Sequence, residues 1–418
     1  MNTLERGNAL PEPVPSPARP AWRGLPGEWY RSEDIYQREL ARIWHRAWVF
    51  ACAECEVGAP GEYVTLTIGS VPILVLRGDD NAVRAFHNLC THRGTLLCDR
   101  PRGTAGKAIM CPYHQWTFTR SGALASCRGM HALDAAELGL RPVAVRTVAG
   151  LVFVCLADAP ADSGSLERAF ASATPHGFAD AKVAHAIDYR VAADWKIVWE
   201  NNRECYQCDA GHPQYVRANF DSAEGERDTP AAREARAAIL ARGEAFWQAE
   251  SLSVKYAGGG LFRFPDPDDP DPFPVSANRT VMVEGFHTES MDGQRVGPFM
   301  GILRSEQVGV LRLRSVPSFW CHASCDHAVI SRVLPGERGV TLVRVLWLVA
   351  ASARQDVDYS LERLLPFWQL TSEQDWAICE RVARGVNSPA FQPGPLSQIR
   401  EYNVEAFFRW YLSRMEPS

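Results

Sequence analysis

Hydrophobic spacing divides the chain into regions of different texture. Residues 28–50, EWYRSEDIYQRELARIWHRAWVF, place apolar side chains at helical intervals through Ile35, Leu40, Ile43 and Trp48, which predicts a helix there. After Pro60-Gly61 the period changes. YVTLTI, VPILVL, AVRAFHNL, AIMCPY, WTFTRSG and VRTVAGLVFVCL are short β-branched or aromatic runs punctuated by Gly, Asp and Pro, which predicts a compact all-β unit from about 50 to 160. PADSGS (160–165) reads as a linker. Beyond it, long helical patterns mix with strands such as TVMVEG (280–285) and TLVRVLWLVA (341–350). The expected fold class is α+β: a lead-in and helix over 1–49, an all-β domain over 50–160 and an α+β domain over 166–418.

Two segments stand apart. DTPAAREARAAILARGEAFWQAE (228–250) predicts a helix with Thr229 as cap and Pro230 at its first position. RFPDPDDPDPFPVS (263–276) is a Pro/Asp loop that excludes helix and central strand. Each suits a pocket cover or plain surface decoration.

Composition narrows the function classes. The 418 residues are 46% hydrophobic and 22% charged, with net charge −5, so no basic field points to nucleic acid or an anionic membrane. The apolar runs fall far short of the roughly 20 residues a membrane span needs. MNTLERGNALPEPVPSPARP has no apolar core and does not read as a secretory signal, so a cytoplasmic protein is expected. In that setting the 12 Cys suggest metal or thiol chemistry before disulfides.

The all-β unit contains CTHRG (90–94) and CPYHQW (111–116). Cys90 with His92 and Cys111 with His114 could hold a structural zinc, or a [2Fe–2S] cluster with two Cys on one iron and two His on the other. Both pairs lie in loops between expected strands, and a Cys-x-His knuckle is unusual for a zinc ribbon. The stretch from His87 to Trp116 resembles the Rieske domain of ring-hydroxylating oxygenases. Tyr113 stands between Pro112 and His114, where respiratory Rieske proteins carry an additional Cys, so the oxygenase type fits. Cys52 and Cys55 (CAEC, at the end of a helix) read as core packing. Cys98 and Cys127 have no partner motif. Cys321 and Cys325 flank His322 and His327, and their apolar surroundings favour buried structural residues.

The resemblance extends over most of the chain. DWKIVWENNRECYQCDAGHP (194–213) and VDYSLERLLPFWQLTSEQDWAICE (357–380) resemble the catalytic domain of the same α subunits. SMDGQRVGPFMG (290–301) and PGPLSQIREYNVEAFFRWY (393–411) resemble the glycine betaine demethylase branch, which acts on quaternary ammonium compounds. The resemblance implies a helix-grip-like catalytic domain with an antiparallel sheet, and a mononuclear Fe(II) held by two His and one carboxylate. Laid on this chain, the family pattern places Glu204 as the acid, Gln207 on the first His, His212 on the second and Asp375 on the carboxylate. In the family the acid bridges to a Rieske His of a neighbouring subunit, here His114, within a head-to-tail homotrimer. O2 would be the co-substrate. Electrons would come from NAD(P)H through a separate flavin or ferredoxin-type reductase, because no flavin or nicotinamide fingerprint is present.

Spacing adds its own reading. Residues 204 and 207 would be neighbours on one helix face. Residues 207 and 212 would lie about 140° apart on an ideal helix, and converge only if the helix breaks, for which Gly211 and Pro213 are placed. Leu364, Trp368, Thr371, Asp375, Ile378 and Val382 form a helical stripe in which Asp375 is the only charge. A buried carboxylate needs a positive partner; iron supplies one, an Arg salt bridge would be the other. Glu373 falls off the stripe and should be solvated.

Gln207 admits three readings: a natural variant whose amide oxygen binds iron weakly or is replaced by another group, an engineered loss of a histidine, or a site that has given up iron. The function expected from the resemblance is oxidative N-demethylation of a betaine or other methylated amine. The alternatives are hydroxylation or N-oxidation of another small molecule, and a non-catalytic Rieske protein. A quaternary ammonium would want aromatic neighbours, for which Tyr206, Phe262, Phe264 and Trp320 are present.

Overall fold

The computed structural model describes residues 19–130, 137–219, 229–254 and 274–416. The first 18 residues, most of the Pro/Asp loop, Phe262 and Phe264 lie outside them. The N-terminal helix forms in pieces, α1 (Glu28–Arg31), α2 (Glu33–Glu39) and a π-helical turn, Leu40–Trp44. Ser32 explains the interruption: its backbone is extended, and its hydroxyl accepts the Ile35 N–H at 3.3 Å to cap α2. Cys52 is not at a helix end as expected. It lies in strand β1 (Val49–Ala53), and Cys55 lies in the 3₁₀ turn that follows.

Among the described residues, nine further strands belong to the first unit: β2 (Glu62–Ile68), β3 (Val71–Arg77), β4 (Val83–His87), β5 (Arg102–Thr104), β6 (Ile109–Met110), β7 (Thr117–Phe118), β8 (Leu124–Ser126), β9 (Pro142–Val148) and β10 (Leu151–Cys155). Seven form one sheet in the order β1-β10-β9-β4-β3-β2-β5, and β6-β7-β8 form a small second sheet. The apolar run of β3 follows from burial on both faces. Ile73 and Val75 join the large core shared with the second unit, while Leu74 and Leu76 point into the core beneath the Cys/His loops.

The second unit is built on an antiparallel sheet of β11 (Ala181–Val191), β12 (Val275–Thr280), β13 (Val310–Ser315), β14 (Phe319–Ala323), β15 (His327–Pro335) and β16 (Thr341–Ala350), ordered β11-β16-β15-β14-β13-β12. The strand expected at TVMVEG ends at Thr280; beyond it only Met282 keeps a single bridge, to Asn219. The helices are α3 (Gly164–Phe170), α4 (Trp195–Asn202), α5 (Cys208–Gly211), α6 (Pro213–Ala218), α7 (Pro230–Ala249), α8 (Leu361–Leu364), α9 (Pro366–Val386) and α10 (Tyr402–Met415). In β13 the side chains alternate: Leu311 and Leu313 pack in the core with α3. Arg312 and Arg314, paired with His322 and Trp320 of β14, face the other way. Helices α4 and α9 cover that second face, where the rings of Trp199, Trp320 and Trp376 meet.

The buried stripe of α9 differs from the expected one. Phe367, Thr371, Trp376, Cys379, Ala383 and Val386 form it, whereas Val382 is exposed and Asp375 is half-buried. The stripe is rotated by one residue because the edge carrying Asp375 faces a cavity, not the core. Among the described residues no helix is long and apolar enough to cross a membrane.

Glu200 in α4 accepts the Tyr30 hydroxyl at 2.8 Å. Burial pushes its carboxyl above the usual carboxylate range, up to about 8. The folded value lies above the unfolded one, so its contribution to stability is whole below about pH 4.5 and is lost as pH rises to about 8. Thermal melts between these limits should show a declining midpoint, by several degrees, and Glu200→Gln should flatten that decline. A variant with the wild-type slope would exclude Glu200 as its source.

Candidate metal centres

The two Cys/His loops of the first unit fold alike. Cys90 N–H donates to the Thr95 carbonyl at 2.8 Å, and its own carbonyl accepts from Gly94 N–H at 2.9 Å. Cys111 N–H donates to Trp116 at 2.8 Å, and its carbonyl accepts from Gln115 N–H at 3.1 Å. The fourth residue after each Cys is left-handed, Gly94 at φ 73° and Gln115 at φ 59°. Glycine takes that conformation freely, glutamine at a cost of about 1 kcal/mol. Cys90 and Cys111 are buried free thiols. Burial raises the Cys90 thiol. For Cys111 burial also opposes charge, but the N–H groups of Tyr113 and His114 outweigh it and lower the pKa. The His92 and His114 rings lie 4.9 Å apart, His92 stacked on buried Trp116.

One atom tests the fit to an iron–sulfur group. His92 Nδ1 is buried without a hydrogen-bond partner, a costly arrangement that a metal bond through that nitrogen would relieve. Among the described residues no three His, Cys, Asp or Glu side chains are grouped for one metal ion. A cluster that takes Cys on one iron and His on the other needs pairs, and pairs are present.

The second site lies where α4 gives way to α5 and α6. Glu204 and Gln207 do not share a helix face, as spacing suggested, because α4 ends at Asn202 and Gln207 is the cap of α5. His212 is the hinge between α5 and α6, at φ −134°, ψ 63°, with Pro213 opening α6. The predicted break is therefore at His212, with a second one ahead of Gln207. Cys205 and Cys208 form a disulfide across this turn. Neither was singled out in the sequence, although Cys-x-x-Cys around Gln207 was the available signal.

His212 Nε2 lies 2.9 Å from Asp375 Oδ1, and its Nδ1 lies 2.9 Å from Gln374 Oε1. Gln214 donates to the same Gln374 oxygen at 2.8 Å and to Thr371 Oγ1 at 2.9 Å. An amide oxygen only accepts, so Nδ1 carries the hydrogen and Nε2 is presented to Asp375. Burial lowers the His212 pKa, but Asp375 and Gln374 outweigh it and the net shift is upward. The side chain of Asp375 is 21% exposed and meets His212, not an Arg. Glu373 is exposed. Half-buried Glu204 has its carboxyl pushed to about 7, first by burial and then by Glu401 and Asp375, against the hydrogen bond from Tyr206 N–H.

Gln207, His212, Asp375 and Glu204 line one small cavity of about 60 Å³, with Tyr215, Arg314, His322 and Trp368. Gln207 Oε1 is buried there without a hydrogen-bond partner. A carbonyl oxygen aimed beside an imidazole and a carboxylate fits a divalent cation that takes N and O donors. Because the third donor is an amide, no triple of His, Cys, Asp and Glu forms. Of the residues the sequence pointed to for an aromatic box, Tyr206 is exposed and Trp320 is buried against Trp199 and Trp376. His322, whose apolar surroundings favour a structural role, borders the cavity, which only the pairing of β13 with β14 reveals.

Comparison with known proteins gives these features a context. Residues 47–140 match the Rieske [2Fe-2S] domain, and residues 178–417 match the ring hydroxylating alpha subunit (catalytic domain). The glycine betaine monooxygenase oxygenase subunit of Chromohalobacter salexigens is 38% identical over 397 residues, covering 94% of this chain and 85% of that protein. The protein of the same name from Pseudomonas aeruginosa strain UCBPP-PA14 is 35% identical over 400 residues, covering 94% and 89%. The crystal structure of the quaternary ammonium Rieske monooxygenase CntA in complex with L-carnitine has a similar fold, with TM-score 0.69 at 18% identity over 95% of this chain and 96% of that one. Naphthalene 1,2-dioxygenase from Rhodococcus sp. bound to indole shares it at TM-score 0.62 and 18% identity, over 94% of both chains.

Proposed function

The chain belongs to the Rieske-type ring-hydroxylating oxygenase α subunits, and from that premise we propose that it removes an N-methyl group from a betaine by oxidation. One atom of dioxygen enters a methyl C–H bond. The other leaves as water with two electrons drawn from a separate reductase and two protons from solvent. The hydroxymethyl C–N bond then breaks, releasing formaldehyde, a proton and a tertiary amine. The observation that carries this reading is the similarity to glycine betaine monooxygenase oxygenase subunits over 94% of the chain.

In this reading Cys90, Cys111, His92 and His114 hold the [2Fe–2S] cluster, and Gln207 Oε1, His212 Nε2 and Asp375 hold the mononuclear iron. When bound, the two centres supply one-electron transfer and dioxygen activation. Gln374 and Gln214 keep His212 in its tautomer, and the Trp116 stack fixes His92. His114 is exposed, with Met110 59% and Tyr113 56% accessible beside it, a rim suited to a second copy of the chain. A carboxyl near pH 7, like that of Glu204, is suited to hold the imidazole N–H of His114 of the partner subunit. The assembly proposed is a head-to-tail trimer.

The test is oxygen uptake and formaldehyde release with reductase, NAD(P)H and a panel of betaines, for the wild type and for Gln207→His. Both proteins should release formaldehyde, and Gln207→His faster, since imidazole is the better ligand for iron(II). The amide at 207 also supports a second reading, a non-catalytic electron carrier. That reading requires two irons per chain and no formaldehyde from either protein.

A further inference from the structure

Part of the lining of the catalytic cavity is aromatic. Tyr215 from α6, His322 from β14 and Trp368 from α9 all border it. Their rings meet edge to face. His322 and Trp368 are 4.5 Å apart at 68°, Tyr215 and Trp368 6.1 Å at 72°, and Tyr215 and His322 6.4 Å at 61°.

Behind the rings sits Glu289, 1% exposed. Its Oε2 accepts Trp368 Nε1–H at 3.0 Å, and its Oε1 lies 3.0 Å from His322 Nδ1. Burial works against its charge, but His322 and Arg312 outweigh burial and lower its pKa. A carboxylate only accepts, so His322 Nδ1 donates to it. Burial lowers the His322 pKa, against Glu289, which raises it. Both ring N–H groups are thus spent on Glu289. A quaternary ammonium has no N–H to satisfy, so it meets such a wall without leaving a donor unpaired. Ring faces attract a desolvated cation, and a hydrogen-bonded anion at the ring edges adds to that attraction.

We propose that Tyr215, His322 and Trp368, with Glu289 as a positioning residue behind them, form the subsite for the substrate's trimethylammonium group. The inference rests on the betaine reading above and names the side chains that would discriminate the charge.

The test compares glycine betaine with 3,3-dimethylbutanoate, the isostere in which carbon replaces the charged nitrogen. Binding is measured by calorimetry on the iron-loaded protein under anaerobic conditions, without turnover. The wild type should prefer glycine betaine by roughly tenfold or more. Glu289→Gln should bring that ratio close to one, with little change for the isostere. Trp368→Leu should weaken both ligands, glycine betaine more. Should Glu289→Gln fail to fold, Trp368→Phe carries the test, because it keeps a ring and removes the N–H; the ratio should fall severalfold. A ratio that folded variants leave unchanged overturns the subsite while the betaine reading stands. A wild type that binds neither ligand overturns both.

Discussion

Asp375→Ala should abolish substrate oxidation, lowering turnover by more than about 100-fold, the most that loss of a merely supporting residue costs a metal site. The iron content should fall to the two atoms of the cluster. The side chain supplies the carboxylate next to His212 Nε2, 2.9 Å away. Without it, the donors left beside His212 Nε2 and the amide of Gln207 would lack the adjacent carboxylate whose charge offsets the ion's dehydration. Visible absorption of the cluster should not change, because Cys90, His92, Cys111 and His114 lie in other loops. Retained activity together with a third iron in Asp375→Ala would remove Asp375 from the ligand set. Asp375→Asn separates charge from shape: it keeps an oxygen donor and should lie between the wild type and alanine in iron content.

Lys196→Met should destabilise the protein by about 3 to 5 kcal/mol, the cost of breaking a buried ion network by removing one partner. Lys196 Nζ lies 2.6 Å from Glu39 Oε1 and 2.7 Å from Asp194 Oδ1, and all three side chains are shielded from water. Burial alone would lower the lysine pKa, but Asp194 and Glu39 outweigh it and raise it. The indole of Trp195 and the hydroxyl of Tyr411 also donate to Glu39. Methionine would leave two buried carboxylates facing each other. Asp194 is also the N-cap of α4, accepting Lys196 N–H at 2.9 Å, and α4 leads directly to Glu204 and Gln207. The loss should be read from chemical unfolding midpoints. The double variant Lys196→Met with Glu39→Met should recover part of it, and a single variant within 1 kcal/mol of the wild type would show that the network is not coupled as its geometry suggests.

The proposed cluster site was legible in the sequence because its candidate ligands are local. Each Cys and its His sit within one loop, and the turn that brings them together involves only five or six residues, with Gly94 marking the left-handed position in one of them. The strand at Thr341–Ala350 was equally legible, since its apolar run from Val345 to Val349 is buried between neighbours. The second site was only half legible. His212-Pro213 and Asp375 carry their own punctuation and chemistry. The face that Asp375 occupies was misjudged, because a cavity edge and a core stripe have the same period along a helix.

Residue types and short spacings determined the two-part organisation, the Cys/His loops and the helix break at His212, since each follows from local backbone preference and donor chemistry. Tertiary structure alone decided that Glu289, 33 positions from His322 and 79 from Trp368, stands behind both rings. It also decided that Gln207 turns an unpartnered oxygen into the cavity. Strand register and helix rotation set these contacts, and both are fixed only when the sheet and its covering helices bury one another.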